Sequence, residues 1–383
     1  MKVPFFRLRL GTPEKKAVSR VIESGWVTSG PIARALEEKI KKLVHARHAV
    51  AVSSATAGLH LSLKAAGIGA GDEVITSPYT MAATVEAILY TGATPVFADI
   101  EPLTLNIDPA RVKSKITRKT KAVIPVDIAG LPCDYDAVLK IARQRKVLLI
   151  EDAAHSLGAQ FKSKPVGSLC DATVFSFYST KNITTGEGGM VVTDDKLLAS
   201  RVRLLSLHGM TSSGWKRYAG GRWKYDIVEL GYKYNLSDLA AGLGLGQLTR
   251  FSRMQKRRQM LADRYMKNLS AVQQFIELPS VDRRSRHGWH LFIIKICPER
   301  LRITRDRCIR ELEKNGVGCG VHFIPIYRFR YFQEHLKLKI SDFPLTERAY
   351  QRVISLPFYP DLSIREVDYV SERMAELCRR FSR

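Results

Sequence analysis

From residue 48 onward the chain returns repeatedly to one pattern: a short apolar run rich in β-branched residues, a turn, then a segment with helical spacing. HAVAVS (48–53) reads as a strand and 55–66 as a helix. DEVITS (72–77) is the next strand, followed over 77–92 by a loop and a helix. ATPVFADI and KAVIPVDIAG are two further strands, with a turn-rich stretch and a short polar helix between them. DYDAVLKIARQRK (134–146) is a helix, and VLLIED (147–152) returns as a strand. Apolar runs that do not alternate belong to strands covered on both faces. Such alternation over about 150 residues predicts an α/β fold, a mostly parallel sheet flanked by helices. Ligands of such sheets sit beyond the carboxyl ends of the strands.

Two stretches place ionisable residues at such ends. In residues 172–193, the strands ATVFSF and GMVVT flank a turn of Ser, Thr, Asn and Gly that holds Lys181. Lys181 reads either as a solvated loop lysine or as an amine with room for a bulky group. VLLIED ends in Glu151 and Asp152, and Asp152 reads either as the N-cap of a helix after the strand or as a functional carboxylate. Together they match what pyridoxal phosphate (PLP) demands: a lysine that forms a Schiff base and a carboxylate for the pyridinium nitrogen. The Ser-Ser-Ala-Thr stretch after the first strand opens a helix, whose free N–H groups favour an anion. Gly67, Gly69 and Gly71 resemble a dinucleotide fingerprint on spacing alone, because they precede a strand instead of following one.

EDAAHSLGA (151–159), FSFYSTKNITTGEGGM (175–190) and GYKYNLSDLAAGLGLGQL (231–248) resemble the nucleotide-sugar aminotransferases, the DegT/StrS group of fold-type-I PLP enzymes. The resemblance runs from about Trp26 to SLPFYP (355–360). It implies a Lys181 Schiff base, Asp152 on the pyridinium, and His155 beside the ring or its phenolic oxygen. It implies Ser176 and the backbone N–H groups of Ala55 and Thr56 on the phosphate. Met81 stands where the family commonly stacks an aromatic residue, and Tyr327 where it often has histidine. Asn235 reaches the phosphate of a partner chain in the family, which implies a homodimer with shared active sites; as a residue by itself it reads equally as part of a helix cap. Thr28 and Ser29 lie in the loop 25–31, which borders the substrate site in the family and by itself reads equally as a plain inter-helix turn.

The implied activity is transfer of an amino group, with glutamate the usual donor, to a keto group of a nucleotide-linked deoxysugar, in ping-pong order. A related sugar dehydratase is the weaker enzymatic alternative, since that branch carries histidine in place of the Schiff-base lysine. A regulatory or nucleic-acid-binding protein retaining the fold is the other alternative, motivated by the net charge of +24. Basic clusters at Lys256–Arg257–Arg258, Arg283–Arg286 and Arg302–Arg310 are mixed with apolar residues and read as solvated faces.

Residues 1–250 are expected to form a large PLP-binding domain. The basic amphipathic stretch 249–269 is expected to be a linking helix, so that 251–383 comprises this helix and a small C-terminal α/β domain. There, HGWHLFIIKI (287–296) and VGCGVHFIP (317–325) read as strands, and 304–316 and a segment from about Ser363 as helices. Residues 213–226 read as a polar, aromatic loop. Six scattered cysteines with no CxxC pair argue against a zinc site or a disulfide framework. No signal-peptide apolar core and no long apolar run is present, so a cytoplasmic protein without a membrane span is expected.

Overall fold

The structure, a computed structural model, describes residues 1–211, 215 and 224–383. Most of the loop expected at 213–226 lies outside these residues. The main sheet contains β1 (His48–Val52), β2 (Glu73–Thr76), β3 (Thr94–Phe97), β4 (Thr120–Ile124) and β5 (Leu148–Asp152). Two short strands follow, β6 (Gln160–Phe161) and β7 (Lys164–Pro165), before β8 (Ala172–Ser176) and β9 (Gly189–Thr193) complete the main sheet. The strand order is β1-β9-β8-β5-β4-β2-β3. β9 is antiparallel to both its neighbours, and the remaining pairs are parallel. The mostly parallel sheet therefore stands as expected.

Helices cover both faces because the strand residues alternate between two cores. Val50, Val52, Val174 and Val191 pack beneath α3 (Ala55–Ala65), which follows α1 (Thr12–Glu23) and α2 (Pro31–Val44) in the chain. Ala49, Ala51, Phe175 and Met190 pack on the other face with the helix Pro31–Val44 and with Ala241 of the helix Asp238–Leu248. Farther along that second face, Ile75, Val123 and Leu149 meet Val138 and Ile141 of the helix Tyr135–Arg145. Glycine sets the closest approach. A Cβ at Gly58 would lie 2.7 Å from Val174 Cγ1, so α3 sits directly on the sheet.

The C-terminal part has a core of its own. The helix Phe251–Leu269 buries Leu261, Tyr265 and Leu269 against Phe292, Ile294 and Ile296 and against the C-terminal helix Ile364–Arg380. Its three-stranded sheet places Phe292–Ile296 between Ile276–Glu277 and Val353–Leu356, antiparallel to both. The expected strand at 317–325 is absent: only isolated bridges occur, Val317 to Val3 and Gly320 to Ser355. The cause is local. Gly316, Gly318 and Gly320 leave room for the N-terminal strap, and a Cβ at Gly318 would sit 2.6 Å from Phe5 N. Val3 is thereby buried in the C-terminal core, and residues 5–11 cross from there to the helix Thr12–Glu23. Not all basic clusters are solvated. Arg258 is 2% and Arg305 6% exposed, both donating to backbone carbonyls.

Candidate active site

β5 and β8 are neighbours and run parallel, so Asp152 and Ser176, their last residues, end at the same edge of the sheet. The turn after β8 carries Lys181 back over that edge before β9 begins at Gly189, opposite Ser176. Lys181 and Asp152 line one cavity of about 410 Å³, and Ala55, Thr56, Met81, His155 and Ser176 line it too. Seven of the eight residues that the resemblance assigns to the cofactor thus share one chamber. Thr80 and Glu187 line it as well.

Asp152 is held by two donors. The Thr84 hydroxyl donates to Oδ2 at 2.7 Å and the Ala154 N–H to Oδ1 at 3.2 Å. Burial raises its pKa, against the lowering effects of Thr84, Ala154 and the charge of Lys181. A cationic N–H facing this carboxylate would keep it ionised. Lys181 is shifted the other way: desolvation pulls its amine from 10.5 to about 8, with the charge of Asp152 opposing. About a tenth is therefore the neutral, nucleophilic amine at pH 7.

The anion end is built from the start of α3. Ser54 caps the helix by accepting from Ala57 N at 3.1 Å. The N–H groups of Ala55 and Thr56 lie in the first turn, where no intrahelical acceptor exists. Gly189 fixes this helix end against β9, since a Cβ there would lie 2.8 Å from Ala55 N and 2.7 Å from Ser54 C. The Ser176 side chain stands at the end of the adjacent strand.

Other wall residues come from distant parts of the chain. Phe5 and Phe6 of the strap, His290, and His322 with Phe323 all line the cavity. His155 stacks on Phe323 with centroids 5.6 Å apart and meets His290 at 4.4 Å. Burial, then the charge of Lys181, drives His155 well below 6.5, so its ring is neutral. Tyr79 is no ring-stacking residue: it is fully buried and donates its hydroxyl to the His322 carbonyl. Tyr327 is buried too, stacked on Phe343 and donating to Glu347 Oε2 at 3.0 Å. Met81, 58% exposed, lines the cavity.

Beneath Asp152 lies a second, fully buried acid cluster. Tyr135 Oη is 2.9 Å from Asp127 Oδ1 and also touches Glu151 Oε1, while Thr173 donates to Glu151 Oε2 at 2.7 Å. One phenolic proton cannot serve two carboxylates, so one acid must retain its proton. Burial raises both acids, and the charge of Asp127 raises Glu151 further, well above 4.5.

Asn235 stands apart. It lines a neighbouring cavity of about 630 Å³ together with Ser29. Its Nδ2 is 2.5 Å from Ser29 Oγ, and its Oδ1 is buried without a hydrogen-bond partner among the described residues. The helix cap is Ser237, which accepts from Ala240 N, so capping does not account for Asn235.

These features fit PLP. A lowered-pKa amine, a buried carboxylate and a helix N-terminus with open N–H groups surround one chamber, and its His155–Phe323 wall is flat and aromatic. No group of three or more His, Cys, Asp or Glu suited to a metal occurs among the described residues.

Comparison with known proteins agrees. The DegT/DnrJ/EryC1/StrS aminotransferase family profile matches residues 9–375. The spore coat polysaccharide biosynthesis protein SpsC of Bacillus subtilis is 45% identical over 379 residues, covering 98% of this chain and 97% of that protein. The putative sugar aminotransferase Spr1654 of Streptococcus pneumoniae in its PLP form superposes with a TM-score of 0.93 at 32% identity, covering 99% of both chains. DesI, solved in the presence of its TDP-sugar product, gives a TM-score of 0.86 at 33% identity, covering 96% of this chain and 90% of that one.

Proposed function

The chain belongs to the DegT/DnrJ/EryC1/StrS aminotransferase family, and we propose that it transfers an amino group from glutamate to the keto group of a nucleotide-linked deoxysugar. It is a PLP-dependent sugar aminotransferase. The observation that carries the reading is the meeting of Lys181 and Asp152 in one cavity beneath the start of α3. The nucleotide-linked acceptor draws support from DesI and its TDP-sugar, and a role in polysaccharide synthesis from SpsC.

When bound, PLP supplies an aldehyde for Lys181 and an electron-withdrawing ring for the carbon that loses its proton. The Ala55 and Thr56 N–H groups and the Ser176 hydroxyl would hold its phosphate. Asp152 would hold a proton at the pyridine nitrogen, with Met81 and His155 against the ring. Lys181 Nζ acts as base toward the donor Cα and then returns that proton as acid. Phe5, Phe6 and Phe323 narrow the mouth and limit water. The donor departs as its 2-oxo acid before the sugar enters, hence ping-pong kinetics.

Residues 1–250 serve as the cofactor domain and 251–383 as the linking helix and small domain. The working unit is a homodimer in which Asn235 serves the partner's phosphate site, and it works in the cytoplasm. No helix among the described residues is long and apolar enough to cross a membrane.

The test is the absorption spectrum with added PLP, before and after glutamate. A lysine-bound cofactor band that glutamate abolishes in wild type, and that Lys181→Ala never forms, supports the reading. No band in wild type with excess PLP would overturn it. A band that glutamate leaves unchanged would remove glutamate as donor, and screening keto nucleotide sugars tests the acceptor.

A further inference from the structure

Three histidines line the catalytic cavity, His155, His290 and His322. In the first two, Nδ1 is buried without a hydrogen-bond partner among the described residues. His322 differs. Its Nδ1 lies 2.9 Å from the hydroxyl oxygen of Ser355, in the strand Val353–Leu356. Ser355 is fully buried and does not itself line the cavity.

The same strand holds the loop of His322 through its backbone. Gly320 N donates to Ser355 O at 3.0 Å, and Ser355 N to Gly320 O at 2.8 Å. A Cβ at Gly320 would lie 3.1 Å from His322 Cε1. The Nδ1–Cε1 edge of the ring thus faces Ser355 and Gly320, which leaves the opposite edge, with Nε2, to the cavity. Phe5 of the strap stacks on the ring with centroids 5.5 Å and planes 19° apart, and Phe323 meets it edge-on at 5.3 Å. Burial, then the charge of Lys181, pulls the His322 pKa down to about 4, so the ring carries a single nitrogen-bound hydrogen near neutral pH.

Which nitrogen holds that hydrogen follows from the hydroxyl. Among the described residues, His322 is the one hydrogen-bond partner of Ser355 Oγ. With hydrogen on Nδ1, the ring would donate to Oγ, and the hydroxyl hydrogen would be left buried without an acceptor, which is costly. With Nδ1 bare, the hydroxyl donates to it and both groups are satisfied. Turning the ring over would set Cδ2 against the hydroxyl and leave it nothing to donate to. The ring hydrogen therefore sits on Nε2, since the partner of one ring nitrogen sets the state of the other.

We propose that Ser355 is a positioning residue that fixes the His322 tautomer, so that His322 presents an Nε2–H donor to an oxygen of the bound substrate. The other tautomer would turn a lone pair toward the same oxygen and repel it. A carboxylate oxygen of the amino donor and a carbonyl or hydroxyl oxygen of the sugar can each accept from this N–H. Phe5 holds the plane of the ring, and Ser355 holds the place of its hydrogen. The class of ligand rests on the amino-transfer reading, whereas the tautomer is observed without any transfer, so either can fail alone.

The experiment is long-range proton–nitrogen NMR correlation of PLP-loaded protein isotope-labelled at the histidine ring nitrogens. Wild type, Ser355→Ala and Ser355→Thr are compared, and His322 is identified by the signals that His322→Gln lacks. In wild type the hydrogen is expected on Nε2, with Nδ1 displaced upfield as a bare nitrogen that accepts a hydrogen bond. Ser355→Ala should move Nδ1 downfield or place hydrogen on it, and Ser355→Thr, which keeps the hydroxyl, should restore the wild-type pattern. A packing role alone would lower the denaturant midpoint of Ser355→Ala and leave these signals in place. The wild-type spectrum decides by itself if neither variant folds. Titration with two probes then finds the acceptor: glutarate, which has the carboxylates of glutamate and no amine, and TDP-glucose, which has no keto group. The probe that moves the His322 Nε2 signal is expected to bind Ser355→Ala about three- to tenfold more weakly than wild type. Glutarate in that role marks a carboxylate as the acceptor, and TDP-glucose marks a sugar oxygen. Hydrogen on Nδ1 in wild type, signals that Ser355→Ala leaves unchanged, or an Nε2 signal that neither probe moves overturns the proposal.

Discussion

Thr84, fully buried, donates its hydroxyl proton to Asp152 Oδ2 at 2.7 Å, and Thr80 Oγ1 lies 2.8 Å behind it. With the Thr84 proton committed to a carboxylate, Thr80 becomes the donor to Thr84. The pair favours the ionised form of Asp152, which burial alone would disfavour. Thr84→Val keeps the shape and removes the donor. A hydrogen bond to a charged group contributes about 1.5–3 kcal/mol, so PLP affinity should fall roughly ten- to a hundredfold. Thr84→Ser should restore most of it. Spectral titration of the apoprotein with PLP measures both.

The Lys181 amine at about 8 makes cofactor attachment pH-dependent in a calculable way. At pH 8 about half the amine is neutral, against about 0.3% for an unperturbed lysine. The rate of PLP attachment to apoprotein should rise with pH through a midpoint near 8. The negative charge of Asp152 raises the lysine's pKa, so Asp152→Asn should move the midpoint down. A midpoint near that of free lysine would show that the amine is not desolvated.

Gly189→Ala should damage the anion end specifically. The new Cβ would meet backbone atoms of Ser54 and Ala55 within 2.8 Å, and backbone cannot move aside as a flexible side chain can. Overpacking of this kind costs about 1–3 kcal/mol, and it would fall on the helix end whose N–H groups face the phosphate. Weaker binding of PLP than of pyridoxal lacking the phosphate, relative to wild type, is the measurement that isolates the cradle.

The buried acids predict opposite outcomes for two changes at one position. Glu151→Gln retains an N–H for Tyr135 and a carbonyl for Thr173, and should stay within about 1 kcal/mol of wild type at acidic pH. Glu151→Ala strands Tyr135, Thr173 and Asp127, and should cost about 3 kcal/mol or more. The pH dependence has a definite sign. The folded pKa of Glu151 is raised above its unfolded value, so the folded state binds more protons, and wild type loses stability as pH rises above about 4.5. Glu151→Gln lacks that loss, so denaturant midpoints should shift in its favour between about pH 5 and pH 8.

The sheet was legible because its strands are covered on both faces and so read as unbroken apolar runs, as in Val147–Ile150 and Ala172–Phe175. Lys181, Asp152, His155 and Ser176 were legible because they sit in contiguous motifs at strand ends. Thr84 was not: it looks like any residue early in an apolar helix, and only the fold brings it to Asp152 across 68 positions. His290 lies in a run that reads simply as strand, and Phe5 and Phe6 in an N-terminal stretch without periodicity. Residues 317–325 read as a strand because they are rich in apolar residues, but Gly318 and Gly320, with Gly316 before them, make room for the strap instead. Charge along the sequence likewise did not distinguish a solvated arginine from Arg258, which is buried and donates to the Trp289 and His290 carbonyls.

Asn235 offers the sharpest test of the proposed dimer. Its Oδ1 is buried without a partner among the described residues and it lies outside its own chain's catalytic cavity, so its service would be to a second copy. In a two-fold dimer each site would then combine Lys181 of one chain with Asn235 of the other. Lys181→Ala and Asn235→Ala should each be strongly impaired as pure proteins. Mixed after dissociation, they form heterodimers in which one site has lost both residues and the other has both intact. Random pairing makes about half the dimers mixed, each with one working site, so roughly a quarter of wild-type activity should return. Recovery should follow the mixing ratio and peak at equal amounts. If no activity returns although mixed dimers are demonstrated by mass, Asn235 acts within its own chain, and the shared site is lost from the account.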